Sequence, residues 1–141
     1  MHFGLLRASD MICVDSDSET VGAHSVYSDY GGIANEAWEG EKIARSLGEN
    51  GKAAILMNHG LLTVGQTADE AAFLFCLMER SCKVQLLEQL LADAAGHEKR
   101  FVRDEKAAYN FKMGSTPDTL YVEFQPHYQY EEALANGSFN H

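Results

Sequence analysis

Apolar positions along this chain fall into short blocks punctuated by glycine, and the period of the blocks changes midway. Ala53-Ala54-Ile55-Leu56-Met57 and Leu61-Leu62-Thr63-Val64 are two nearly unbroken apolar runs hinged by Asn58-His59-Gly60. Runs of this length, bounded by turn residues, read as buried strands. Gly65-Gln66 closes the second run. Thr67-Ala68-Asp69-Glu70 then matches a capping box, in which the threonine hydroxyl and the glutamate carboxylate satisfy each other's backbone donors. The predicted helix runs to about Ala94, and Gly96 ends it. From Ala71 to Met78 it is apolar on every side, which calls for cover from the sheet on one side and a second subunit on another. Met57, Phe73, Phe75 and Met78 are expected in the core. Beyond Glu79 the helix turns amphipathic, with Leu86, Leu87, Leu90 and Leu91 apolar and Glu79–Lys83 an i,i+4 pair.

On either side the pattern is shorter. Met11 to Val14 reads as a short strand, and residues 22–32 as a loop rich in Tyr, Ser and Gly. Asn35 is the expected cap of a helix from Glu36 to Leu47, with Gly48 as its left-handed stop. Glu36, Glu39 and Glu41 favour the positive end of that helix and are expected on a solvated face. Asp104 to Met113 predicts a further helix, and Gly114-Ser115-Thr116-Pro117-Asp118 a breaker. Tyr121-Val122-Glu123-Phe124-Gln125 alternates as an edge strand would, and residues 126–141 read as a polar tail that frays. Strands alternating with helices predict an α/β fold in a single domain, residues 1–141.

Composition narrows the partners. With 141 residues and 45% hydrophobic content, the chain can bury a core. A net charge of −10, from 21 acidic and 11 basic residues, argues against nucleic acid and against an anionic membrane surface. No apolar run is long enough to span a membrane, and the first residues lack the features of a signal peptide, so a cytoplasmic setting is expected. Three cysteines, Cys13, Cys76 and Cys82, fit no zinc spacing. Cys76 and Cys82 face different sides of one predicted helix, so reduced thiols are expected.

The candidate chemistry centres on His59. A histidine on a tight turn between two buried strands presents its imidazole at the mouth of a sheet, where a metal or substrate can sit. His24 is the other histidine near the loops expected on that face, while His97, His127 and His141 lie in polar C-terminal surroundings. Tyr27, Asp29 and Tyr30 form a polar loop cluster. No glycine-rich phosphate motif is present.

The turn Asn58-His59-Gly60, with Ala54-Ile55-Leu56-Met57 before it and Leu61-Leu62-Thr63-Val64-Gly65 and the helix through Glu79-Arg80 after it, resembles the class II aldolase/adducin family. The segment Asp29-Tyr30-Gly31-Gly32-Ile33, the helix ending at Leu47-Gly48 and Tyr121-Val122-Glu123-Phe124-Gln125-Pro126 are similar to its fungal branch. The head, Leu6 to Asp15, looks like an early strand of the same domain. The resemblance implies a mainly antiparallel sheet covered by helices. It also implies a divalent metal, usually zinc, held by three histidines: a His-x-His pair and the histidine of the Asn-His-Gly turn, here His59. An upstream acid would serve as base, and a tyrosine (Tyr27 or Tyr30 here) as proton donor. No two of the six histidines stand in His-x-His spacing, and the chain passes from the early strand to the loop near Val21-Gly22-Ala23 without the family's central portion. A catalytic zinc wants three protein ligands, and His59 with His24 supplies at most two. The expectation is therefore an incomplete copy of the fold. It would act as a binding or scaffold module in the manner of adducins, with self-association and a cytoskeletal partner such as actin. The alternatives are a zinc-dependent aldolase or epimerase of a small sugar or sugar phosphate, and a spliced or incomplete form of one.

Overall fold

The computed structural model describes residues 24–28, 37–96, 102–136 and 138. The expected strand at Met11–Val14, together with Cys13, Asp29, Tyr30, Asn35 and Glu36, lies outside them.

At the centre is a three-stranded sheet of β1 (Ser25–Tyr27), β2 (Ala53–Leu56) and β3 (Gly60–Thr63), in that spatial order. β2 and β3 form an antiparallel hairpin in which Leu56 opposes Gly60 and Ala53 opposes Thr63. β1 runs parallel to β2, with Ser25 beside Ala54 and Tyr27 beside Leu56. Parallel neighbours need a crossover, and helix α1 (Ala37–Leu47) provides it. Among the described strands the sheet is thus mixed, half of its pairings being parallel.

Alternation along β2 sends successive residues to opposite faces. Ala54 and Leu56 join Tyr27 against Ile43 and Leu47 of α1. Ala53 joins Leu74, Met78 and Leu120, with Ile55, Leu61 and Phe73 packed around them. Leu74 and Met78 belong to α2 (Ala68–Ala95), and Leu120 to α4 (Pro117–Ala135). The layers are therefore α1, the sheet, and then α2 with α4. Helix α3 (Asp104–Gly114) leads into α4 through Ser115 and Thr116.

The caps follow the sequence reading. Thr67 accepts from the Glu70 N–H at 3.1 Å, and Glu70 Oε2 accepts from the Gln66 N–H at 2.6 Å. Gly48 and Gly96 end α1 and α2 at φ of 75° and 63°, where a side chain would be strained. Cys76 and Cys82 are free and half-buried.

Four expectations are overturned. Tyr121–Gln125 is helical, and so is the supposed fraying stretch from His127 to Ala135, all inside α4. The β-like alternation loses to a strong helix start: Pro117 stands in the first turn and the Thr116 hydroxyl accepts from the Thr119 N–H. Leu120, 1% exposed, then locks the helix against α2. Pro126 is tolerated because it lies on the exposed side with Val122, where water can serve the carbonyl that Pro126 leaves without a donor. Met57 and Phe75, expected in the core, are exposed, whereas Met78 is fully buried. Met57 belongs to the turn, and Phe75 lies outside the buried Glu70, Leu74 and Met78 of α2. Glu39, expected in solvent, is buried, and its partner is described below.

Candidate functional site

Two ends of the β2–β3 hairpin carry the polar chemistry of the molecule. At one end the connection is three residues long, Met57-Asn58-His59. Asn58 adopts φ 59°, a left-handed conformation that Asn accepts more readily than most residues. The His59 N–H donates to the Leu56 carbonyl at 3.0 Å, and the Met57 N–H donates to the Tyr27 carbonyl at 3.0 Å. The turn is thereby tied both to its own strand and to β1. His59 is exposed at the tip.

Tyr27 ends β1 at the same level, but its side chain enters the α1 layer. Its hydroxyl donates to Glu39 Oε1 at 3.1 Å, and Glu39 is only 4% exposed. This pair was not anticipated. Its signal lies in the helical spacing Glu39, Ile43, Leu47, which places the carboxylate on the sheet-facing stripe of α1. Glu41 lies on the solvated side as expected, bonded to Arg45 at 3.2 Å.

His24 precedes the Ser25–Ala54 pairing and so stands at the opposite end of β1 from Tyr27. Three residues of parallel strand, roughly 10 Å, separate its level from that of Leu56, and the turn bearing His59 lies beyond. The structure brings Tyr27 and His59 to one end of the sheet and leaves His24 at the other. Among the described residues no group of three His, Cys, Asp or Glu side chains could hold a metal ion. A three-ligand zinc therefore does not fit the described donors, and no chemical step is routed through one.

The other end of the hairpin is closed. Lys52, entering β2, bonds and pairs with Glu70, whose side chain is completely buried at the start of α2. Burial pushes the Glu70 carboxyl up. The Lys52 hydrogen bond, the Gln66 N–H, the Lys52 charge and the Thr67 N–H together outweigh it and hold the group below the usual carboxylate range. Thr63 Oγ1 donates to the Ala71 carbonyl at 2.8 Å, a further tie from β3 to α2. Beside this lock lies a cavity of about 750 Å³ walled by Lys52, Val64, Gly65, Leu74, Phe111 and Leu120.

Known proteins are similar to this chain in sequence and fold. Residues 19–86 match the Class II Aldolase and Adducin N-terminal domain. The chain is 38% identical over 114 residues to the meiotically up-regulated gene 14 protein of Schizosaccharomyces pombe, a match covering 81% of this chain and 43% of that protein. It is 35% identical over 78 residues to alpha-adducin of Rattus norvegicus, covering 55% of this chain and 10% of adducin. Among solved structures, the L-fuculose 1-phosphate aldolase of Glaciozyma antarctica PI12 superposes with a TM-score of 0.62 at 36% identity, covering 79% of this chain and 39% of the aldolase. The chain belongs to the class II aldolase/adducin family. It spans less than half the length of these relatives.

Proposed function

We propose that this chain is a class II aldolase/adducin module that binds a protein partner and does not perform aldol chemistry. The observation that supports this reading is the donor count at the His59 turn. The family's turn is intact, yet the sequence has no His-x-His pair, and among the described residues no group of three His, Cys, Asp or Glu side chains could hold a metal ion. Aldol cleavage needs a Lewis acid to hold an enediolate and a group to move a proton. In this chain Tyr27 is turned inward to Glu39. The reading gives the module a cytoskeletal partner, self-association and a cytoplasmic setting. The likeness to alpha-adducin supports the first of these, and among the described residues no helix is long and apolar enough to cross a membrane.

The likeness to L-fuculose 1-phosphate aldolase favours a second reading, a zinc-dependent aldolase or epimerase of a small sugar or sugar phosphate. On that reading the remaining ligands come from another subunit. One paired assay separates the two. Purified protein is supplied with zinc and L-fuculose 1-phosphate, and in parallel is sedimented with actin filaments. The binding module gives cosedimentation and no cleavage. Cleavage that disappears in His59→Ala would establish the enzyme and overturn the module.

A further inference from the structure

Helix α2 is 28 residues long, about 42 Å at 1.5 Å per residue, and its two halves meet different surroundings. Leu74 and Met78 in the first half are buried under α4 and the sheet. In the second half Val84, Leu86, Leu87, Leu90 and Leu91 are exposed by 47, 67, 60, 65 and 69%. At 100° per residue these five occupy a half-cylinder about 160° wide. Gln85, Glu88 and Ala92 take the opposite, more sheltered side. A contiguous aliphatic face of this kind, uncovered among the described residues, marks an interaction surface.

We infer that this face pairs antiparallel with the same face of a second copy, about a two-fold axis passing level with Glu88. The sequence around that level is self-complementary. Leu86 and Leu90 stand two residues either side of Glu88, and Lys83 and Asp93 five residues either side, all four on one side of the helix. An antiparallel pair centred there sets Leu86 against the partner's Leu90 and Lys83 against the partner's Asp93. Each contact occurs twice, as an isologous interface requires. Lys83 is 68% exposed, and its ammonium keeps donors beyond the one given to Glu79 at 2.6 Å. Asp93 is likewise bonded within its own helix, to Gln89 at 2.7 Å, and remains exposed. Leu87, Leu91 and Val84 flank the contact and widen the buried patch toward the order of 1,000 Å² that a specific interface needs. A parallel arrangement would instead set Lys83 beside Lys83 and Asp93 beside Asp93. The inference rests on the self-association proposed above and assigns it a surface, a symmetry and a register.

The test is light scattering coupled to gel filtration of the full chain over a wide range of loading concentration. The wild type is expected at a mass built from pairs of 15.6 kDa chains. Leu86→Glu with Leu90→Glu, checked for unchanged helicity by circular dichroism, is expected to lose that pairing. Lys83→Glu and Asp93→Lys alone should each weaken association roughly tenfold, since two exposed ion pairs are lost per dimer. The double charge swap should restore it to within roughly threefold. A wild type that is monomeric throughout overturns both the surface and self-association, and so does one that is monomeric and pellets with phosphatidylcholine vesicles. An oligomer indifferent to the leucine substitutions overturns the surface alone. A charge swap that fails to restore pairing overturns the antiparallel register.

Discussion

The two ends of the β2–β3 hairpin are built in opposite ways. At the Lys52 end a fully buried carboxylate, Glu70, gathers an ammonium and two backbone donors and joins strand entry to helix start. At the His59 end a single exposed imidazole stands on a left-handed Asn58 turn with no ligand set around it among the described residues. The end that holds the fold together is complete. At the His59 end, no group of three metal-ligating side chains forms among the described residues. A turn motif can therefore report ancestry and architecture without reporting activity.

The sharpest way to break this contrast is to empty the closed end. Glu70→Ala takes the shared acceptor from Lys52 and from the Gln66 and Thr67 N–H groups, and should cost about 3–5 kcal/mol, the range for removing one partner of a buried pair, read by urea denaturation. Glu70→Gln sharpens the same point through pH. Because the native carboxyl titrates below its unfolded value of 4.5, its stabilisation is fully present above that value. It is lost as pH falls through the native pKa. Wild-type stability should fall on acidification more steeply than that of Glu70→Gln. Equal acid limbs would mean the pair contributes nothing.

The hairpin glycines offer a matched pair of smaller effects. A Cβ on Gly65 would sit 2.7 Å from the Ala71 nitrogen and 2.9 Å from Glu70 Cβ. Gly65→Ala should therefore destabilise by about 1–3 kcal/mol. A Cβ on Gly60, beside His59, would meet nothing within 4 Å, so Gly60→Ala should stay within about 0.5 kcal/mol. Thermal melts of the two variants check the ordering, and a reversed order would contradict the contrast between the ends. Smallest of all is His59→Ala. An exposed side chain at a turn tip should change stability by less than about 0.5 kcal/mol, measured by the same melts.

Much of this fold was legible in the chain because it is locally encoded. The two apolar runs, the Thr67–Glu70 cap, and the stops at Gly48 and Gly96 each need only neighbouring residues to declare themselves, and each is found as expected. The failures occur where a distant partner decides. Tyr121–Gln125 alternates like a strand, yet Leu120 docks on Leu74 and Met78 and carries the segment into a helix. Glu39 reads as a solvated acid until Tyr27, 12 residues earlier in the chain, supplies its buried hydroxyl partner. Met57 and Phe75 look like core by composition, but Met57 falls in the turn and Phe75 stays exposed on a helix whose buried positions are Glu70, Leu74 and Met78. The Asn58-His59-Gly60 turn was legible as a motif, since it needs only neighbouring residues to declare itself. The parting of His24 from His59 was not legible, because it follows from β1 lying parallel to β2.

The binding-module proposal requires that His59 not hold a catalytic metal in this chain. Its most direct test is zinc titration of the metal-stripped, purified protein by calorimetry, with His59→Ala alongside. No stoichiometric high-affinity site is expected in either protein, with superimposable titrations. One zinc bound tightly per chain in the wild type, and lost in His59→Ala, would contradict the proposal.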